Sequence, residues 1–256
     1  MLEDADLDWA MKMHGYNRGQ AEKDYLQHIV LLAQYATTKS ELVFKGGTCL
    51  QKVYGLDRFS EDLDYTVQAP TDIEKIIDAI ERRLVGFGYP ARKPKIEEDQ
   101  AGIKVRLKIQ GPFYKGTDLS LCSLRLEMSK REQVLLPTEV KRVMPPYENL
   151  PPYTVLAMSR EEIAAEKVRA ILTRDKARDL FDMFHLIEKG VRADPKTIDK
   201  KLEYYSLRYS QQDFEISVAA KRKIWKAELG PLVRNLPNFV DVEEIVNAAL
   251  RKAVPS

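Results

Sequence analysis

Residues 45–67 read KGGTCLQKVYGLDRFSEDLDYTV, and this stretch limits the fold more tightly than any composition figure. Just before it, Leu42, Val43 and Phe44 form a brief apolar run that stops at Gly46-Gly47. Leu50, Val53 and Tyr54 then recur at helical spacing. From Ser60 the polarity alternates, with Asp62, Asp64 and Thr66 on one side and Leu63, Tyr65 and Val67 on the other, the period of a half-buried strand. The order is strand, glycine turn, short helix, strand, and the two aspartates point the same way.

A glycine pair before a helix is often a plain turn, and D-x-D is often a solvated strand end. Together, and in this order, they suit phosphate chemistry. Small residues let backbone N–H groups approach an anion at the positive end of a helix dipole, and Thr48 adds a hydroxyl donor. Two carboxylates side by side repel unless a cation or donor offsets them, and Mg²⁺, which takes oxygen ligands and substrate phosphates together, is the natural choice. A third carboxylate would complete a metal site or take a proton from an attacking hydroxyl. Glu127, on the polar side of the alternating stretch DLSLCSLRLEMSK (118–130), is the candidate.

The rest of the chain supplies a scaffold. Residues 21–36 carry Leu26, Ile29, Val30 and Ala33 along one helical stripe. Thr71 and Glu74 stand at capping-box spacing before a helix expected over 72–85. Residues 102–111 and 118–130 alternate and are expected to pair antiparallel. Lys104, Arg106 and Lys108 then line one side of the first strand, either as an ordinary solvent face or as a track for an RNA backbone, with the solvent face favoured.

The pairs Pro145-Pro146 and Pro151-Pro152 mark a boundary, and a helical pattern is expected after it. Ser159 and Glu162 form a second capping box. A helix over 163–174, a second ending at Gly190 and others near 195–205, 212–228 and 240–252 are expected, with KRKIWK (221–226) on a solvated helix face, Ile224 and Trp225 partly inward, and RNA contact as the less favoured alternative. This divides the chain into 1–150, a sheet-containing unit with the carboxylates, and 151–256, a helical lobe, with the active site expected in the cleft between them. The fold class is α+β, a small mixed sheet flanked by helices.

Charge narrows the partners: 41 Lys and Arg against 39 Asp and Glu leave a net charge of +2, so nucleic acid could be met only by a local patch. Cys49 and Cys122 sit in apolar surroundings without metal-ligand spacing and read as buried thiols in a cytoplasmic protein. Neither a signal peptide nor an apolar run long enough to span a membrane is evident.

The glycine turn with D-x-D resembles the DNA polymerase beta-like nucleotidyltransferase superfamily. More narrowly, FKGGTCLQKVYGLDRFSEDLDYTV, LRLEMSKRE and EKVRAILTRDKARDLFDMFHL are similar to the motifs of the AbiEii-type toxins of abortive-infection and toxin–antitoxin systems. The resemblance implies that Lys45, Gly46, Gly47 and Thr48 contact nucleotide phosphates, that Asp62 and Asp64 bind Mg²⁺ or Mn²⁺, and that Glu127 takes the third-carboxylate position, where many members have aspartate. Arg58 and Ser60 occupy matched positions before the aspartates, and Arg58 would hold a phosphate or pair with a neighbouring carboxylate. Lys167, Arg174, Arg178, Asp179 and Asp182 match the later family segment and would line the nucleotide pocket. The bland alternative for these is a set of helix-surface ion pairs.

The implied reaction is transfer of a nucleoside monophosphate from an NTP to a hydroxyl on RNA, the tRNA acceptor end among them, or on protein, with release of pyrophosphate and restraint by a cognate antitoxin. Lys167 would offset charge on the triphosphate. The rival readings are a nucleotide-binding regulator without turnover and a metal-dependent nuclease or phosphohydrolase. The D-x-D pair argues against the first, and the Gly-Gly-Thr turn against the second.

Overall fold

The structure is a computed structural model that describes residues 4–253. It opens with α1 (Asp4–His14) and α2 (Arg18–Tyr35). Asn17 and Gln20 cap α2 reciprocally, each side chain accepting the other's backbone N–H at 2.9 Å. The stripe read from the sequence is the buried side of α2, with Leu26, Ile29 and Val30 at 0% exposure.

The order expected for the central motif is present as β1 (Leu42–Lys45), α3 (Gly46–Tyr54) and β2 (Leu63–Val67). The two strands pair antiparallel, Phe44 opposite Tyr65 and Lys45 opposite Asp64. β2 begins at Leu63, so Asp62 precedes the strand and Asp64 lies inside it.

The helix α4 (Ile73–Gly86) begins one residue away from the expected cap. Asp72 accepts from the Lys75 N–H at 3.0 Å, while the Thr71 hydroxyl donates to the Ala69 carbonyl at 2.8 Å. The Thr71–Glu74 box does not form, because Asp72 takes the N-cap position and shifts the helix start by one residue.

Next come β3 (Ala91–Asp99), β4 (Gly102–Ile109) and β5 (Cys122–Ser129), with β4 and β5 antiparallel as expected. β3 has no apolar alternation to betray it. It is an edge strand of mostly charged, exposed residues whose register shifts between Arg92 and Lys95, around Pro94. Charge, proline and a bulge on an edge discourage pairing with another chain.

β6 (Glu139–Val143) and β7 (Tyr153–Ala157) follow. The expectation that the chain turns helical straight after Pro151-Pro152 is corrected here: β7 follows at once, antiparallel to β6 and parallel to β1. Both proline pairs lie in the β6–β7 connection, where no ladder N–H is needed. The seven strands form one mixed sheet in the order β3-β4-β5-β2-β1-β7-β6.

The chain divides into two compact units. The first runs through residue 157 except for 56–58 and 134–137, which belong with 158 onward in the second. In the second unit stand α5 (Arg160–Thr173), α6 (Ala177–Glu188), α7 (Pro195–Glu203), α8 (Gln211–Ala220), α9 (Trp225–Leu229) and α10 (Phe239–Ala253). Ser159 caps α5 as expected, but the Glu162 carboxylate accepts instead from the Leu135 and Leu136 N–H groups at 2.9 and 2.7 Å.

The single helix expected over 212–228 is broken by a 3-10 turn at Lys221–Lys223. KRKIWK is therefore not a solvated face throughout. Lys221 is buried and donates to the Arg174 carbonyl at 2.9 Å, while Trp225 is inward as expected, its indole donating to the Pro237 carbonyl at 3.1 Å.

Both cysteines are free and buried, and burial pushes the Cys122 thiol up to about 12. Among the described residues no helix is long and apolar enough to cross a membrane.

Candidate active site

Gly46 opens α3 with φ +74°, and a Cβ built there would lie 2.4 Å from Asp64 Oδ2. Two independent requirements thus meet at one residue: a left-handed backbone and a carboxylate pressed against it. Thr48 is fully buried, and its hydroxyl donates to the Asp62 backbone carbonyl. That bond ties the start of α3 to the residue preceding β2, so the threonine's one O–H is engaged in holding the turn. Ser60, also buried, donates its backbone N–H to Gln51 Oε1 at 3.0 Å, and Gln27 donates to the Ser60 and Glu61 carbonyls at 2.9 Å each. The segment leading into the aspartates is held from both sides.

Strand register assembles the charged side chains into rows, because residues directly opposite on adjacent strands share a face. Asp64 lies opposite Glu127 on β5 and Lys45 on β1; Glu127 lies opposite Lys104 on β4, and Lys104 opposite Glu97 on β3. The row Glu97, Lys104, Glu127, Asp64, Lys45 runs across five strands, with two neighbouring carboxylates flanked by a cation at either end. The sequence expectation that Glu127 joins the aspartates on one polar sheet face is thus met for Asp64.

Asp62 is engaged differently. Arg125 holds it with two parallel bonds, Nε to Oδ1 at 2.8 Å and a terminal nitrogen to Oδ2 at 2.9 Å. This is the fork geometry in which arginine binds carboxylates best, and it raises the Arg125 pKa further.

Among the described residues no three His, Cys, Asp or Glu side chains form a ready-made metal cage. Mg²⁺ does not demand one, since it is commonly held by one or two carboxylates and completed by substrate phosphates. The oxygen-only pair Asp64 and Glu127, beside a turn with room for no Cβ, fits such an ion, and Asp62 fits as a further ligand once it leaves Arg125.

The remaining expected site residues lie in the second unit. Arg58 grips Asp182 with Nε and a terminal nitrogen at 2.6 and 2.8 Å, and both side chains are buried. Lys167 on α5 reaches Asp179 at 2.8 Å and Asp182 at 2.7 Å on α6. Arg174, the extended residue that ends α5, adds two bonds to Asp179 at 2.7 and 2.8 Å. Arg178 stands apart, 3.8 Å from Glu228. Burial alone would raise both aspartates, but Lys167 and Arg174 outweigh it at Asp179, and Arg58 and Lys167 outweigh it at Asp182, so both carboxyls are held below their ordinary range. The pairs of Arg58 and Lys167 with Asp179 and Asp182 are buried, unlike the surface pairs of the bland reading, whereas Arg174 is half exposed and the Arg178–Glu228 pair is partly so; Arg58 pairs with Asp182 rather than with its sequence neighbours.

Sequence reasoning missed Arg125 as a partner of Asp62, and missed Lys95 and Glu97 altogether. Arg125 shares the polar side of its strand with Glu127, which was legible. Its partner was not, because that depends on β5 lying parallel to β2. Lys95 and Glu97 have no sequence signal, since β3 is a strand only by virtue of pairing with β4.

A model of the family described as nucleotidyl transferase AbiEii toxin, type IV TA system, matches residues 30–251. No curated relative matches the chain. Among solved structures, JHP933 from Helicobacter pylori superposes with a TM-score of 0.64 at 20% identity, covering 93% of each chain. The nucleotidyltransferase toxin MenT4 from Mycobacterium tuberculosis gives 0.62 at 21% identity, covering 93% of this chain and 85% of its own. At these identities the likeness concerns the fold.

Proposed function

Since the chain belongs to the AbiEii nucleotidyl transferase toxin family of type IV toxin–antitoxin systems, we propose that this nucleotidyltransferase moves a nucleoside monophosphate from an NTP to a hydroxyl of an RNA acceptor, the tRNA acceptor end among them. The observation that carries the reading is the Gly46 turn with Asp64 against it and Glu127 alongside in register.

In this reading the N–H groups at the start of α3, with Lys45, receive the triphosphate at the positive end of the helix. Thr48 keeps the turn in shape through its bond to the Asp62 carbonyl. Asp62, Asp64 and Glu127 are the metal ligands, for Mg²⁺ or Mn²⁺. A bound divalent ion would offset the charge of the phosphates and lower the pKa of the attacking hydroxyl. The acceptor oxygen forms a bond to the α-phosphorus as the bond from that phosphorus to the bridging oxygen breaks. Pyrophosphate leaves, and Glu127 takes or orients the hydroxyl proton.

Arg58, Ser60, Lys167, Arg174, Arg178, Asp179 and Asp182 are assigned to nucleotide recognition on the family segment. The support is the match to the family motifs, within which Arg58, Lys167, Asp179 and Asp182 form one buried ion-pair cluster. A reaction that draws on NTPs and RNA belongs in the cytoplasm, and the toxin family supplies the expectation of a cognate antitoxin.

The test is incubation of the protein with Mg²⁺, each α-³²P-labelled NTP in turn and total tRNA, beside an Asp62→Ala/Asp64→Ala variant. Label on RNA with pyrophosphate release, absent in the variant, is the expected result. Nucleotide binding without transfer would refute the reading and favour a regulator.

A further inference from the structure

The register that lines up the carboxylates also lines up cations one step along the strands. Lys95 on β3 lies opposite Arg106 on β4, and Arg106 lies opposite Arg125 on β5. Like charges directly opposite each other in a sheet are destabilising, so a run of three calls for an explanation. Glu97 holds Lys95 at 2.6 Å and Asp62 holds Arg125 at 2.8 Å, which leaves the central Arg106 without an ion pair within 4 Å among the described residues, while Glu97 attracts it at longer range.

A second line of cations crosses the first at Arg106. Lys104, Arg106 and Lys108 occupy alternate positions of β4, all exposed and on the same side, about 6.7 Å apart by strand geometry. Between the lines lies a cavity of about 220 Å³, lined by Lys95, Lys104, Arg106 and Arg125 with only Glu97 and Glu127 against them. Four cations face two carboxylates, and Glu127 is itself beside Asp64.

Resting on the transferase reading above, we propose that this crossing of cations is the acceptor-strand subsite, where phosphodiesters of a single-stranded RNA lie so that its hydroxyl end meets Glu127. A polyanion is favoured over an isolated phosphate because the cations repeat in two directions at regular spacing. A single phosphorylated side chain would use one of them. Arg125 links the subsite to the proposed metal ligands, since it borders the cavity and holds Asp62.

The experiment measures binding of a labelled single-stranded RNA oligonucleotide, without NTP, across a salt series. It compares the wild type, Lys95→Ala/Arg106→Ala, and the control Lys75→Ala/Arg82→Ala, which removes two exposed cations of α4. The row variant is expected to bind on the order of tenfold more weakly, with the slope of log K against log salt reduced by about 1.4, about 0.7 for each lost phosphate contact. The control and NTP binding should not change.

Equal RNA affinity for the row variant and wild type, an equal loss in the control, or no RNA binding by the wild type would each overturn the proposal. So would stoichiometric displacement of the RNA by an NTP, which would make the row a triphosphate site. A wild type that binds RNA through the row yet transfers no label to it would leave the subsite standing and remove the proposed reaction, so the two can fail separately.

Discussion

Arg125 forms a two-pronged ion pair with Asp62, at 2.8 and 2.9 Å, and so occupies both oxygens of a proposed metal ligand. The guanidinium is a built-in cation where a divalent ion is expected. Two unit charges about 4 Å apart in water interact by about 1 kcal/mol, a factor of about five in affinity. Arg125→Ala is therefore expected to bind Mn²⁺ about fivefold more tightly in the absence of nucleotide, as read by electron paramagnetic resonance titration. Unchanged or weaker Mn²⁺ binding would remove Asp62 from the ligand set.

Gly46 and Gly55 offer a matched comparison. Both have positive φ, +74° and +73°, but a Cβ at Gly46 meets Asp64 at 2.4 Å whereas one at Gly55 meets nothing within 4 Å. Each alanine substitution should cost about 1–2 kcal/mol for the left-handed backbone. Gly46→Ala should cost more and lower transfer at least tenfold by displacing Asp64, while Gly55→Ala retains activity. Urea unfolding and a transfer assay on both proteins check this, and equal activities would argue against a role for Asp64.

Arg58 and Asp182 are both buried and doubly bonded. Removing Arg58 leaves the fully buried Asp182 with Lys167 as its remaining cation and strips it of two hydrogen bonds, so Arg58→Ala is expected to destabilise the second unit by roughly 3 kcal/mol. Adding Asp182→Asn, which removes the buried carboxylate that has lost its guanidinium, should recover part of that loss in a double-mutant cycle. Additive losses in chemical denaturation would show that the two do not interact.

His28 is buried against Tyr153 and Tyr147, and burial followed by the Lys52 charge holds its pKa down to about 3. Its unfolded value is about 6.5. Between these values the unfolded chain binds a proton that the folded chain refuses, so stability falls as pH is lowered from about 6.5 towards 3 and is unaffected above that window. His28→Gln should flatten this part of the stability profile, measured by urea unfolding from pH 7 to 4. A profile as steep as wild type would assign the acid loss elsewhere.

The local order from Leu42 to Val67 was legible because its signals are local. An apolar run, a glycine pair, helical spacing and strict alternation each act within a few residues. The same holds for the first family motif, which sits on those elements, and for the later ones on β5, α5 and α6. β3 and the position of β7 were not legible. β3 is a polar strand whose only reason to be extended is the ladder of β4, and β7 is five residues that share a helix-compatible apolar pattern until β1 and β6 pair with them.

The sequence by itself determined the residue types of the candidate site, the turn that needs glycine, and the side of β2, β4 and β5 on which the charges stand. Only the tertiary structure decided which charges meet. The parallel pairing of β2 with β5 puts Glu127 beside Asp64 and Arg125 on Asp62, and β3 adds Lys95 to Arg106. Side-chain direction follows from a two-residue period that any strand carries with it, whereas register is a choice between chains of hydrogen bonds far apart in sequence, settled by how the buried faces pack.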